Sequence, residues 1–580
     1  MTYRAPVRDI AFSLYQVAGF SRVAELEAFS GADEATVSAV LQGAGAFAEG
    51  VLAPLNRVGD RDGARFENGR VFAAPGFAEA YRRYSGDGWN GLAADAAQGG
   101  QGLPRAVALA AFEFVHAANM SFGLCPMLTE AAIHCLAVHG DARQRALYLP
   151  RLVSGEWTGT MNLTEAQAGS DLALVRTRAE PDGNGGYKLS GQKIFITWGD
   201  HDCADNIVHL VLARLPDAPA GVKGISLFLA PKFLVDETGR LGAANALRPL
   251  SIEHKLGIHG SPTCVMAYEG ASAELVGQPG QGLAHMFTMM NAARLNVGMQ
   301  GVGIAERAYQ QALAFSLERK QGRSPWSSDQ PARIFDLPDV RRMLMLMKSR
   351  IDAARAICLS TAVAADLAEY AASDTAREAA KLREELLVPI AKAWSTDTGV
   401  DVASLGVQIH GGMGFIEETG AAQYYRDARI APIYEGTNGI QALDLAGRKL
   451  ALANGAAMTA LIADMRETLG QGRSESFADA FKAGIDALER ATAVMLANKG
   501  TPDALGAAAP YLTLAGNVIG GWMHAKAMSA DHADADIRRT KMALGEFYAA
   551  HVLAPSPGLL AAIKEGASAY AAASPEMLGA

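Results

Sequence analysis

Five cysteines in 580 residues, Cys125, Cys135, Cys203, Cys264 and Cys358, include no C-x-x-C pair. That scatter excludes a disulfide framework and a spaced zinc site, and points to buried thiols in a reducing compartment with no metal. Basic charge is also lacking. Lys and Arg total 52 against 61 Asp and Glu, a net charge of −9, whereas a nucleic-acid partner needs a basic face. No uncharged apolar run reaches the roughly 18 residues of a membrane span. Met1-Thr-Tyr-Arg-Ala-Pro6 is not followed by the apolar core of about 7–15 residues that a signal peptide requires. The expectation is a cytoplasmic protein with no membrane span. Two nucleotide-binding motifs, G-x-G-x-x-G and G-x-x-x-x-G-K-[ST], are absent too, so any nucleotide must be held by another route.

What is present is apolar bulk. Hydrophobic residues make up 50% and charged residues 19%, enough for several buried cores in a chain of this length. The pattern changes along the chain. Residues 1–155 carry apolar residues at helical spacing, interrupted by Trp89-Asn-Gly-Leu92 and Gly99-Gly-Gln-Gly-Leu-Pro104. Residues 156–276 hold short β-rich runs, Tyr187–Thr197, Asn206–Ala213 and Gly224–Ala230, between Asp, Gly and Pro turns. No helix-length segment separates them, which argues against a parallel Rossmann sheet. Residues 277–454 return to helix, with long runs over 282–319, 339–370 and 375–400 and another from Ile440, the makings of a bundle. Residues 455–580 add Ala-rich helices over 458–469, 477–497, 510–529 and 536–553, read as packing or oligomer support. The fold class is thus mainly α with a central β domain.

The most informative stretch is Ile430–Gln441, I-A-P-I-Y-E-G-T-N-G-I-Q. One carboxylate, Glu435, stands between apolar residues and a Gly-Thr-Asn-Gly turn. A Glu before a Gly is ordinarily a solvated loop residue. Here Ile433 and Tyr434 point to a site that is not freely solvated, and burial raises a carboxyl above its model value of about 4.3. A general base working near neutral pH needs that. Elsewhere, Met161-Asn-Leu-Thr-Glu-Ala-Gln-Ala-Gly-Ser-Asp171 offers hydroxyls at Thr164 and Ser170, and Gly169 lets backbone approach a ligand closely.

Taken with Gln408-Ile-His-Gly-Gly-Met-Gly-Phe415, Arg426-Asp-Ala-Arg429 and Glu253-His-Lys-Leu-Gly-Ile-His-Gly-Ser-Pro-Thr263, these segments resemble the flavin-dependent acyl-CoA dehydrogenases. The likeness covers about residues 30–450, and Ala166 replaces a proline usual in the family. It implies an N-terminal helical domain, a small β-barrel domain and a helical bundle, here with an added C-terminal helical domain. It implies that Glu435 removes the α-proton of an acyl-CoA while the β-hydride passes to FAD. Some members carry the base on an earlier helix beside an Arg; the matching position, in Met290-Asn-Ala-Ala-Arg294, is Ala293. The likeness places Met161, Leu163, Thr164, Phe195 and Thr197 against the flavin ring and Ser170 near the flavin phosphates or the CoA arm. Arg319 and the Gln408–Gly412 loop, with Gly411, would meet the flavin diphosphate of a neighbouring subunit, although Gln321–Pro331 departs from the R-K-x-F-G turn of the family. Thr437 joins the cofactor set, and Arg294, Tyr434 and Gly436 join Ser170 on the substrate.

The implied partners are an acyl-CoA, electron-transfer flavoprotein and a second copy of the chain in a homodimer or homotetramer. The N-terminal extension, the 321–337 loop and the C-terminal helices look like a bacterial subgroup acting on 3-methylmercaptopropionyl-CoA, a short thioether substrate of dimethylsulfoniopropionate breakdown. The bulky Met286, Phe287, Met289 and Met290 before Arg294 suit such a thioether, and equally suit a plain core. Three other readings share the residues: an acyl-CoA oxidase using dioxygen, a medium- or long-chain dehydrogenase, and a scaffold without flavin, against which the retention of Glu435 counts.

Overall fold

The computed structural model describes residues 3–469, 474–568 and 570–580. The chain forms two compact units, one of residues 6–42 and 297–580, the other chiefly of residues 43–296.

In the second unit, helices Arg105–Ala118, Met120–His139 and Ala142–Val153 precede a sheet. Their starts are fixed locally. The Asn119 side chain accepts from Phe122 N–H, and Asp141 forms a reciprocal capping box with Gln144. Two stretches, Glu34–Asp62 and Met120–His139, are long and apolar enough to cross a membrane. Met120–His139 is buried on nearly all sides, as a core helix is.

The sheet has seven strands. Leu247–Ile252, Thr263–Val276, Tyr187–Thr197, Arg178–Pro181, Asn206–Arg214 and Trp157–Asn162 lie in that order, and Ile225–Pro231 pairs with both Thr263–Val276 and Asn206–Arg214. That double pairing curls the sheet towards a barrel around Ile196, Val211, Phe228, Met266 and Tyr268. Most pairs are antiparallel, as short connections between strands favour; the exceptions are Trp157–Asn162 along Asn206–Arg214, joined by a long connection that itself carries strands, and one bridge, Arg178 to Arg214. Tyr187–Thr197 has the bounds its pattern predicts. Thr263–Val276 escapes pattern reading because two register shifts, at Cys264/Met266 and Glu269/Ala271, break its alternation.

In the first unit, Pro338–Tyr370 and Asp374–His410 run beside Val297 onwards of the Gly282–Glu318 helix. A Cβ on Gly301 would stand 2.3 Å from the Ser395 carbonyl oxygen, so these two helices meet backbone to backbone. The Asp374–His410 helix continues ten residues past its expected end at Val400. Nothing breaks it until Gly411, at φ +59°. Gln408 therefore lies in a helical turn and not in a loop.

The C-terminal helices Ala456–Glu467, Glu475–Ala497, Ala508–Ser529 and Ala535–Tyr548 pack in this unit. They are joined to it by buried charge. Lys541 Nζ lies 2.7 Å from Asp352 and 3.1 Å from Asp9; Lys348 lies 2.7 Å from Asp9; Arg355 reaches Glu306 at 2.9 Å and Asp352 at 3.2 Å. Burial alone would raise the Asp352 carboxyl, but Lys348 and Lys541 hold it down, to about 2. Removing one partner of a buried pair strands the other, so Lys541→Met should destabilise the fold by roughly 3–5 kcal/mol in urea unfolding. The folded value of Asp352 lies below the unfolded value of about 3.9. Its contribution is therefore complete above pH about 4 and lost as pH falls towards 2, which acid unfolding of wild type and variant will show.

Candidate active site

The Tyr434–Gln441 turn is strained where its chemistry lies. Glu435 has φ +55° and Gly436 φ +84°. A non-glycine residue in this region costs about 1–3 kcal/mol and persists only where its surroundings enforce it. Thr437 closes the turn as the N-cap of Asn438–Asp444, its hydroxyl accepting from Ile440 N–H at 3.2 Å. The Asn438 N–H donates to the Pro432 carbonyl at 2.9 Å. Gln441, fully buried, donates to the carbonyls of Glu435 at 3.3 Å and Gly436 at 3.4 Å. Lys392 Nζ donates to the Gly436 carbonyl at 2.9 Å.

The Oε2 of Glu435 is shielded from solvent. Tyr434 lies beside it, its hydroxyl donating to Gln300 Oε1. Burial first, and the Glu435 carboxylate second, push the Tyr434 phenol well above its ordinary value. Ile433 does not do the shielding that its position beside the turn implies: it is 48% exposed, because the turn faces its tyrosine inward and its isoleucine outward.

Arg319 and Gln408 lie elsewhere in the same unit. Phe315 stacks on His410, with centroids 4.5 Å apart, and so brings the ends of their two helices together. Arg319 is exposed and donates to Gln321 Oε1 at 3.0 Å. Gly411 and Gly412 are exposed, with open space where a Cβ would be. Sixteen residues separate Lys392 from Gln408, about 24 Å of helix. Glu435, Gly436, Tyr434 and Thr437 thus form one cluster, and Arg319, Gln408, Gly411 and Gly412 another.

The second unit carries the remaining candidates. Lys193, with no exposed side chain, donates to the Leu163 carbonyl at 2.9 Å and to Glu165 at 2.8 Å. Ile194 N–H donates to the Thr164 carbonyl at 2.9 Å. The Leu163–Thr164 loop is thereby pinned along the strand that ends in Phe195 and Thr197. Phe195 has φ +60° and is 60% exposed, a large ring held in solvent by strained backbone. Met161, Leu163, Thr164 and Thr197 are half-buried. An open aromatic face, a thioether and threonine hydroxyls match a flat ring system of mixed polarity. Ser170 is exposed in the turn where Asp171 caps Ala173 N–H. Arg294 is buried, its guanidinium 5.6 Å from the Phe287 ring centroid, and Ala293, Met286, Met289 and Met290 are buried too.

The chain belongs to the acyl-CoA dehydrogenase family and is an FAD-dependent oxidoreductase acting on an acyl-CoA. Family models for the acyl-CoA dehydrogenase N-terminal, middle and C-terminal domains match residues 35–156, 160–271 and 280–450, and an acetyl-CoA dehydrogenase C-terminal-like model matches 461–574. The 3-methylmercaptopropionyl-CoA dehydrogenase of Ruegeria pomeroyi is 47% identical over 95% of this chain and 96% of its own length. Among solved structures, Caenorhabditis elegans ACDH-11 in complex with C11-CoA superposes with a TM-score of 0.79 at 20% identity, covering 95% of this chain and 92% of that one. A Bacillus anthracis acyl-CoA dehydrogenase complexed with FAD gives 0.73 at 21% identity, covering 94% and 90%. Both share its fold: helical N-terminal domain, central β domain, helical bundle and C-terminal helices.

Sequence reasoning passed over Lys193, Glu165, Lys392, Gln300, Asn438 and Gln441 as participants. The available signal was a lone lysine in an apolar run, as in Val388-Pro-Ile-Ala-Lys-Ala-Trp394. Glu165 accepts from Lys193, Thr177, Arg176 and Gln167. Burial would raise its carboxyl, but Lys193 and these donors hold it to about 2. In Lys193→Met the Leu163–Thr164 loop loses its anchor. FAD affinity should fall at least about tenfold (1.4 kcal/mol), read by flavin fluorescence on titration of the apoprotein; unchanged affinity would show that the anchor is irrelevant to the cofactor.

Proposed function

We propose that Glu435 is the general base that takes the α-proton of an acyl-CoA thioester, yielding the 2-enoyl-CoA. The observation that carries this reading is a solvent-shielded carboxylate oxygen on a left-handed residue whose own and following carbonyls are both held from neighbouring helices. FAD, held by the residues named below, would supply the two-electron acceptor for the β-hydride. The protein supplies alignment and exclusion of water. Proton loss builds negative charge on the thioester oxygen, and the Glu435 backbone N–H is the proposed donor to it.

In the same reading Met161, Leu163, Thr164, Ser170, Phe195, Thr197, Arg319, Gln408, Gly411, Gly412 and Thr437 serve FAD, and Ser170, Arg294, Tyr434 and Gly436 serve the substrate. The domains are 1–155, 156–276, 277–454 and 455–580. The roughly 24 Å of helix between Lys392, which binds the Glu435 turn, and Gln408 supports assigning Arg319 and Gln408–Gly412 to the cofactor of a second copy. Phe415, 86% exposed, with exposed Met413 and Ile416 beside it, gives that end an apolar surface suited to self-association. Reoxidation by electron-transfer flavoprotein and a cytoplasmic location complete the proposal.

For substrate, the 47% identity to the Ruegeria enzyme favours 3-methylmercaptopropionyl-CoA. A panel should rank it and other short acyl-CoAs above palmitoyl-CoA in kcat/KM; a maximum at long chains would overturn this choice.

Glu435→Gln should keep FAD and bind acyl-CoA but lose at least about 10²–10⁴-fold in the rate of anaerobic flavin bleaching. A rate near wild type would remove Glu435 from the role, and Ala293 offers no substitute.

A further inference from the structure

The geometry points to Lys392 as the positioning residue for the base: its buried ammonium locks the Glu435–Gly436 turn in its left-handed form. This rests on the reading of Glu435 as the base.

Lys392 sits in the middle of Asp374–His410, flanked by buried Ile390, Ala391, Ala393 and Trp394, and its side chain is 0% exposed. A buried ammonium is unfavourable unless its protons find acceptors. Two acceptors are on the turn: the Gly436 carbonyl and Asn438 Oδ1, each at 2.9 Å. Asn438 is itself fixed to the same helix, its amide donating to the Ala393 carbonyl at 3.1 Å, Thr396 Oγ1 at 3.0 Å and Asp397 Oδ1 at 2.7 Å. The turn is therefore bolted to one helix face over Lys392–Asp397.

The direction of the bolt is the informative part. For packing alone, an apolar side chain would serve a buried helix position as well as a lysine. The Gly436 carbonyl points at Lys392 because Glu435 and Gly436 both have positive φ. Relaxation of Glu435 to negative φ would turn the neighbouring peptides and withdraw that carbonyl. The ammonium thus selects the backbone conformer that aims both the Glu435 carboxylate and its N–H. Gln441, donating to the Glu435 and Gly436 carbonyls, supports the same conformer at longer distances.

The test uses full-length holoenzyme and anaerobic flavin reduction by a short acyl-CoA. Lys392→Met should lower the reduction rate about 10–100-fold, as a displacement of about 1 Å at a reacting group does, with KM and FAD content within about twofold of wild type. Combined with Glu435→Gln, the same substitution should add no further loss, since there is no base left to misplace. Equal losses in both backgrounds, or a wild-type rate in Lys392→Met, would overturn the proposal. If Lys392→Met does not fold, Asn438→Ala removes the second acceptor on the turn and is judged by the same criteria. The two readings fail separately: a fast Glu435→Gln enzyme removes the base and with it the proposal, whereas a dead Glu435→Gln beside a fast Lys392→Met removes only Lys392.

Discussion

Three glycines set the distance between two helices, and the site follows from that distance. A Cβ on Gly298 would stand 2.8 Å from the Ala391 carbonyl, one on Gly301 2.3 Å from that of Ser395, and one on Gly399 2.8 Å from that of Gly301. No side chain fits between the Gly282–Glu318 and Asp374–His410 helices along this line. The close approach puts Gln300 and Lys392, each one residue from a contact, where both reach the Tyr434–Gln441 turn. A larger residue at Gly301 would press the helices apart, and the turn would lose its anchors before any catalytic side chain changed.

A turn with two consecutive left-handed residues has little stability of its own. Its anchors are the Lys392 ammonium, a capping hydroxyl and side-chain amides, most of them bound to its carbonyls, while Ile433 is left half in solvent. The candidate cofactor face of the other unit uses the same device. There a buried lysine grips the Leu163 carbonyl and a buried glutamate, while strained backbone holds the Phe195 ring outward. In both places a lysine on regular secondary structure disciplines an irregular segment that bears the chemistry.

Much of this was legible in the sequence. The turn that carries Glu435, the β-rich character of 156–276 and the strand Tyr187–Thr197 follow from residue patterns, because side-chain alternation and Gly-rich turns are local properties; the role given to Glu435 follows from the family resemblance. The lysines were not legible. Lys193 and Lys392 look like stray charges until the positive φ of Glu435 and the path of the Leu163 loop show which carbonyls they meet. Gln408 was misplaced for a related reason: the glycines after it read as a loop, while the helix needs only one of them, Gly411, to stop. The Thr263–Val276 strand was missed because its irregularities hide the period that defines a strand.

The buried ionic set of Asp9, Glu306 and Asp352 with Lys348, Arg355 and Lys541 bears on how such a chain acquires length. It balances three charges against three, and one of the cations comes from the last quarter of the sequence. A chain trimmed near residue 455 would retain three carboxylates facing two cations in an interior that tolerates no surplus. The C-terminal helices therefore supply a charge that the rest of this unit needs. Through Lys541 and Asp9 the two ends of the chain meet in one charge balance, so neutralising either residue leaves the other short of a partner.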